Sequence, residues 1–523
     1  MSDPDDPRSV EEAADRRLSA DARGDVATVA KGGAVQIAGQ ISQRSLSFLF
    51  GAIFTVLTNA ATYGVYRSIS QVLSNVSQVG LAGFNYAAMR FISRARATGR
   101  PGGVRGAART ALGATMFLSL VAMVAFLAFT EPLSRLFTSQ EPATRDEFLR
   151  LLRIGAPYIP LFALLQTLRY CTQAYKTMVP SVVAGNIVQP VARFVLGVGA
   201  VIAGFGVTGA VVSLTASVAV AAAVAAWWFA RLITPEERSA RPEAEVGAMV
   251  RFALPQGGAS LLGIQALGLG ILILKAVETN EVVGWFAIAL SLQGPGNVFL
   301  GGIVNIWAPV VADLYERGEI DRLDRLYKTI NRWIATFSFP VFVALMLEPD
   351  VFTKFYGPTA AGAAGAVAIL AVGNLFYTGT GPTGYVISMT GHPTINLLNS
   401  IVGVTLYVVF GTWAARRWGI LGLAWVDAGV TALINSARVV QAKILVGVQP
   451  FGRGFLKPVV ASLAGGCVLL AWRLVPGDST VRSVAGIAVA AIVYVYVLKL
   501  LGLDEEEAYV LRRIKKRALK RGK

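Results

Sequence analysis

Histidine is nearly absent from this chain. His392 is the only one in 523 residues, and there are two cysteines, Cys171 and Cys467. The cysteines lie far apart and at no metal-ligand spacing, so neither a zinc framework nor a disulfide scaffold can be built from them. Both fall in apolar segments and read as small buried residues. His392 stands in a short turn before Pro393 with no acid or cysteine nearby, and reads as a solvated turn residue rather than a general base. No metal and no cofactor is implied. Charge is also scarce: 15% of residues are Asp, Glu, Lys or Arg, against about 25% in an ordinary soluble domain. No phosphate-cradling loop of P-loop type occurs, which argues against direct ATP drive. The start lacks the pattern of a cleavable signal peptide. Residues 1–30 are polar and mixed in sign, with Asp3, Asp5, Asp6, Glu11 and Glu12 set against Arg8, Arg16 and Arg17, so the first span is expected to act as the insertion signal.

What the chain has instead is apolar length. Hydrophobic residues make up 54%, in runs long enough to cross a bilayer that recur along the whole sequence. Hydropathy places spans near 32–57, 66–89, 106–130, 150–175, 180–203, 206–232, 250–276, 281–310, 329–347, 360–389, 393–415, 419–446, 455–474 and 480–502. The expected fold is an all-α polytopic membrane protein of about fourteen transmembrane helices. The formal net charge of +17 would suggest nucleic acid on a soluble protein. Here it follows the loops, and no nucleic-acid partner is expected. Arg90, Arg94, Arg96, Arg100 and Arg105 join spans two and three, Arg231, Arg238 and Arg241 follow span six, and Arg317, Arg322, Arg325 and Lys328 follow span eight. The opposite loops carry few cations. The positive-inside rule then puts both termini in the cytoplasm. The basic C-terminal tail is expected to touch anionic headgroups of membrane lipids, or to serve as a plain topology anchor.

The chain also repeats itself. Pro180, Asn186, Gly206 and Gly209 recur 213 residues later as Pro393, Asn399, Gly419 and Gly422. Tyr63-Gly-Val-Tyr66 is answered by Val283-Gly-Trp-Phe286, and Glu131-Pro132 by Glu348-Pro349. Echoes in one order predict two pseudo-symmetric six-helix lobes, the arrangement by which transporters alternate access to a shared site. The boundaries expected are a cytosolic tail over 1–30, a first lobe over 31–233, a linker over 234–248, a second lobe over 249–446, an appended C-terminal pair of helices over 447–502 and a basic tail over 503–523. Residues 313–328 read as an amphipathic surface helix, with Ile320, Leu323, Leu326 and Tyr327 on one face. Gly294-Pro-Gly296 and Gly379-Thr-Gly-Pro382 should break or bend spans eight and ten.

At these residues the chain resembles a known family. Tyr63-Gly-Val-Tyr66, Met89-Arg-Phe-Ile92, Arg251-Phe-Ala-Leu-Pro255, Val283-Gly-Trp-Phe286 and the turns Gly206-Val-Thr-Gly209 and Gly419-Ile-Leu-Gly422 resemble the landmarks of polysaccharide flippases. These Wzx-like polysaccharide transporters belong to the multidrug/oligosaccharidyl-lipid/polysaccharide exporter (MOP) superfamily. The resemblance implies a MATE- and MurJ-like fold, two bundles forming a V around a cavity. It implies a transporter of lipid diphosphate-linked oligosaccharide in the cell membrane, with lipids and polysaccharide assembly enzymes as further partners, and no catalytic activity.

Charges inside a bilayer cost several kcal/mol unless they face water or a partner, so each one within a span is a candidate. The excess is cationic, and a planar guanidinium suits phosphate and carboxylate oxygens. Arg44, Arg193 and Arg438 lie deepest and are the first expected substrate-binding residues, followed by Arg169 and Arg332. Gln40 and Gln43 share a helical face with Arg44, and Asn75 lies on a polar face of span two. These uncharged residues suit a sugar path or hydrogen-bonding between helices. Arg67, Arg90, Arg251, Lys275 and Lys443, near span ends, read as snorkelling side chains. Two alternatives within the superfamily remain. A cation-coupled multidrug exporter needs carboxylates within the spans, where Asp427 stands almost alone, and a lipid II flippase shares the same outline. A membrane glycosyltransferase or polymerase would need acids or histidines on a large exposed loop, and the loops are short.

Overall fold

Twenty-two residues, Ala60–Leu81, form a helix whose start is fixed by one side chain. Asn59 accepts a hydrogen bond from the Thr62 amide at 2.8 Å, satisfying a donor that the first turn leaves free. Thr279 caps the helix Asn280–Leu292 in the same manner. Each cap lies five residues before the glycine of its echo, Gly64 or Gly284, so the repeat extends from sequence into local structure.

The chain is described by a computed structural model over residues 35–36, 38–137, 142–261, 268–476 and 479–502. The expected tails over 1–30 and 503–523 lie outside the described residues. Among the described residues every regular element is a helix. In chain order they are α1 (38–57), α2 (Ala60–Leu81), α3 (Phe84–Ala97), α4 (Pro101–Phe137), α5 (Pro142–Gly155), α6 (Tyr158–Gln173), α7 (Val179–Ile202) and α8 (Gly206–Leu232) in the first half. The second half holds α9 (Val246–Leu261), α10 (Leu269–Val277), α11 (Asn280–Leu292), α12 (Val298–Glu316), α13 (Ile320–Leu347), α14 (Ala364–Thr380), α15 (Thr383–Met389), α16 (Pro393–Val446), α17 (Leu456–Trp472) and α18 (Ser479–Leu500). Ten helical segments among the described residues are long and apolar enough to cross a membrane. One of these is the 54-residue α16, bent at Gly419 into the two arms expected as spans eleven and twelve. The outline is broadly that of the fourteen-span expectation.

Helices α2 to α8 pack on one another, as do α10 to α16. The echoed residues do equivalent jobs in each group. Gly206 and Gly419 both take positive φ, +52° and +58°, a backbone state that glycine reaches without the Cβ clash, and each turns the chain into the next helix. Asn186 donates to Gln43 Oε1 at 3.1 Å, while Asn399 and Gln441 exchange hydrogen bonds at 2.6 and 3.1 Å. Glu348, buried, accepts from Arg473 Nε at 2.9 Å and Ser483 Oγ at 2.7 Å. It thereby ties α17 and α18 to the end of α13.

The two groups meet where glycines let backbones touch. A Cβ on Gly284 would overlap the Ala60 carbonyl oxygen, and one on Gly64 would sit 2.7 Å from the Gly284 nitrogen. This α2–α11 crossing lies at the start of α2. Beyond its other end, Gly83 and Gly257 bring α3 against α9, where a Cβ on Gly257 would sit 2.7 Å from the Gly83 nitrogen. Small residues at a crossing are how membrane helices approach closely. At the α2-start end Lys275, only 3% exposed, bonds Asn280 and lies 4.7 Å from the Phe148 ring. It is a buried bridge between the halves, not a snorkelling cation.

Several expectations are corrected. Residues 313–328 are not one surface helix. Gly318 turns the chain at φ +71° between α12 and α13, and Leu323 and Tyr327 are buried against Trp307, Val311 and Val386. Cys467 is exposed on α17, while Cys171 is buried as expected. His392, half-buried, precedes the first turn of α16 instead of lying free in solvent. Among the described residues, the segment expected as span seven holds two helices, α9 and α10. The segment joining the halves is strapped to the first: Glu243 N donates to Gly102 O at 2.9 Å, Arg105 bonds Ala240 O at 2.8 Å, and Arg94 and Arg100 both pair with Glu245.

Two outcomes follow from these contacts. Gly284→Val forces a branched side chain into the Ala60 backbone and should cost about 1–3 kcal/mol. Gly199→Val, with open space around its Cβ, should leave the thermal midpoint in detergent nearly unchanged. The Arg94 hydrogen bond, helped by Arg100, holds the Glu245 carboxyl below its usual range. The strap is therefore complete above the ordinary carboxylate range and is lost as pH falls through the lowered value. Hydrogen-exchange protection over 241–248, relative to a Glu245→Gln variant, should vanish in that lower window.

Candidate functional site

The break in the eighth expected span creates the site. Pro295 cannot donate to the helix ladder, and a single 3₁₀ turn, Pro295–Asn297, separates α11 from α12. The Gly294 carbonyl accepts from Asn297 N at 3.1 Å and keeps a second lone pair. This is taken by the first half of the chain: Arg44 of α1 donates to Gly294 O at 3.1 Å. Around this contact lies a chamber of about 520 Å³. The first half contributes Gln40, Arg44, Arg67 and Gln71, and the second contributes Gln293, Asn297, Asn374, Tyr407 and Asp427. Arg67, half-buried, keeps its Nε without a protein partner. Asp427 and Tyr407 line the chamber together. A second chamber of about 430 Å³ adjoins the first, lined by Gln256, Asn396, Asn435 and Arg438. Tyr377, Tyr385, Leu300 and Val304 line both and form the partition between them.

The expected substrate residues divide by location. Arg44 and Gln40 line the main chamber, and Arg438 lines the second, where it donates to Ser400 Oγ at 3.4 Å. The others are placed elsewhere. Arg169 is enclosed by Ser181 O at 3.1 Å, Gln166 Oε1 at 3.2 Å and Asn186 Oδ1 at 2.7 Å, against a six-residue π-helical turn, Val183–Val188. Gly185 leaves room there for the guanidinium. Gln43 belongs to the same network through Asn186. Arg193 donates to Ser47 at 2.7 Å and lies 5.3 Å from the Phe50 ring centre. Arg332, 7% exposed, is inside α13. Asn75 accepts from Gln71 at 3.0 Å. Of the chamber cations, sequence reading passed over Arg67, because hydropathy starts span two at 66. The helix starts at Ala60, so Arg67 is two turns in.

A family profile described as "Polysaccharide biosynthesis protein" matches residues 29–315, more than half of the chain. The chain belongs to the polysaccharide biosynthesis protein family. The resemblance drawn from the echoes is borne out at the level of this family. A comparison with curated protein sequences gives no significant match. Among solved structures, "Lipid II flippase MurJ, inward closed conformation" is similar at TM-score 0.71 and 12% identity, covering 89% of this chain and 98% of that one. An inward-facing multidrug resistance MATE family transporter of the MOP superfamily aligns at TM-score 0.65 and 14% identity, over 79% of this chain and 98% of its own. A MOP superfamily transporter from Pyrococcus furiosus, titled for the reverse polarity of its binding pocket, aligns at TM-score 0.56 and 17% identity, over 84% and 96%. At such identities the likeness is one of fold. This member of the polysaccharide biosynthesis family is a multi-pass membrane protein of MurJ/MATE-like architecture.

The two classes of arginine in this family member should respond differently to substitution. Arg169→Met removes a charged donor from four protein acceptors and should cost about 2–3 kcal/mol of stability. Arg44→Gln, bordering open volume, should shift the thermal midpoint by far less. A thermal-unfolding comparison of the two purified variants separates a structural arginine from a chamber arginine.

Proposed function

We propose that this protein carries polyprenyl diphosphate-linked oligosaccharide from the cytosolic to the outer leaflet of the cell membrane by alternating access, for the assembly of surface polysaccharide. The observation that carries this reading is the chamber between the halves, with Arg44 and Arg67 on its wall. Two guanidinium groups in a low-dielectric enclosure attract an anionic headgroup strongly, and the isoprenoid tail can remain in lipid between the halves. Membership of the polysaccharide biosynthesis family supports the substrate class. Arg94, Arg96, Arg100 and Arg105 gather with the 234–248 linker at one end of the bundle, which supports reading that end, and both termini, as cytoplasmic. We read residues 31–233 and 249–446 as the two moving lobes, with the glycine crossings at Gly64–Gly284 and Gly83–Gly257 opening in turn. A negative-inside potential favours outward passage of an anion by about 2.3 kcal/mol per charge per 100 mV.

Asp427 in the chamber favours one second reading, a cation-coupled exporter of the same superfamily. The two are separated in proteoliposomes holding a fluorescent lipid-diphosphate oligosaccharide. Wild type should move the headgroup between leaflets, and Arg44→Ala and Arg67→Ala should slow this at least tenfold while remaining folded. An absence of headgroup movement together with Na⁺- or H⁺-dependent dye efflux would overturn the flippase reading.

A further inference from the structure

The chamber is asymmetric in hydrogen-bonding sense. Among its charged and partnerless groups, those of the first half are donors, on Arg44 and Arg67, whereas those of the second half around the helix break are acceptors. The orientations of the amides there are fixed by their neighbours. Asn374 Nδ2 donates to Leu370 O at 2.9 Å, so its Oδ1 must face Asn297. Asn297 must answer with Nδ2, at 2.7 Å, and that amide also reaches Gln293 O at 3.3 Å. Gln293 spends its Nε2 on two backbone carbonyls, Ala289 O at 3.3 Å and Val367 O at 3.1 Å. Neither amide can be flipped without setting oxygen against oxygen. The consequence is that Gln293 Oε1 and Asn297 Oδ1 are both buried and without a protein partner, four residues apart on the chamber wall. Gln293 is only 4% exposed. Asp427 adds a carboxylate, with Tyr407 beside it, to the same chamber.

An unmet buried acceptor is costly, and sites built around such groups discriminate by which ligand satisfies them. An ionised diphosphate has acceptor oxygens only and cannot satisfy them. Sugar hydroxyls and acetamido N–H groups can. We propose that the Gln293–Asn297–Asp427 wall is a sugar subsite that binds the donor groups of the first sugars after the diphosphate, while Arg44 and Arg67 hold the diphosphate itself. This rests on the flippase reading above and sharpens it. Arg44 touches Gly294, the residue between the two unmet acceptors, which puts anion and sugar positions side by side as the covalent link between them requires. The substrate class that follows is a lipid diphosphate whose first sugar is rich in free hydroxyl or amide N–H donors. A carboxylated sugar at that position would face Asp427.

The test is a binding measurement in nanodiscs with three probes: a short prenyl diphosphate, the same diphosphate carrying one unsubstituted hexose, and the same with that sugar fully O-methylated. The sugar-bearing probe should bind wild type about tenfold tighter than the bare diphosphate. O-methylation, which keeps the bulk and removes the donors, should abolish that gain without any change to the protein. Gln293→Met and Asn297→Met should each erase most of the gain and leave bare-diphosphate affinity unchanged. An O-methylated probe that binds as tightly as the free sugar would overturn the subsite, as would variants that weaken both diphosphates equally. Loss of the sugar gain in saturating Na⁺ would overturn it in favour of a cation held by the same oxygens. Binding of none of the probes would overturn the flippase reading itself.

Discussion

The structure depends on one steric allowance: at Gly64 and Gly284 two helix backbones approach within a distance that no Cβ permits. Lipid offers little hydrophobic drive for helix association, so close packing and interhelical hydrogen bonds must supply it. With α2 held against α11, the break after Gly294 lies beside the first half, and Arg44 reaches the Gly294 carbonyl. The chamber is the volume left between this contact and the Gly83–Gly257 crossing further along. A side chain at either glycine would displace the walls that the arginines and amides line.

Broken helices in a membrane protein free backbone groups that must find partners inside the protein or in water. Here the two breaks are satisfied differently. At Gly379–Pro382, Asn331 donates to Gly379 O at 2.7 Å and to Pro450 O at 3.2 Å, so that break is sealed within the second half. At Gly294–Gly296, Asn297 N and Ser338 Oγ bond the carbonyls of Gly294 and Gly296 at 3.1 and 2.7 Å from within the second half, and Arg44 of the other half adds a further hydrogen bond to Gly294 O. On the proposed alternating-access reading, opening the halves breaks this bond and frees the arginine for an anion. A contact that closes the empty chamber and a group that binds substrate can thus be the same side chain, which couples occupancy to conformation.

Much of this was legible in the sequence because membrane folding uses few rules. The echoes were visible as residues, and each has a geometric cause: positive φ for Gly206 and Gly419, close approach for Gly64 and Gly284, an interhelical amide bond for Asn186 and Asn399. The chamber residues were less legible. A cation deep in a span looks the same whether it faces a cavity or the amides of the next helix, which is why Arg44 and Arg169 could not be told apart before their neighbours were known. Arg67 was masked by a span limit drawn from hydropathy, which cannot see that a polar Asn59 cap begins the helix earlier. Gln293 and Asn297 flank a motif read only as a hinge. Their role depends on Asn374 and Val367, 77 and 74 residues away.

The division of donors and acceptors between the halves has a mechanical consequence. A ligand that carries both a diphosphate and hydroxyl groups satisfies the two walls only when they face each other across it. A bare diphosphate engages Arg44 and Arg67 but leaves Gln293 Oε1 and Asn297 Oδ1 unmet. The full substrate therefore gains more from the closed arrangement than any of its parts does. A ligand shifts a conformational equilibrium only by its difference in affinity between the states. On the proposed reading the linked sugar, rather than the anion, supplies the difference that closes the halves around cargo.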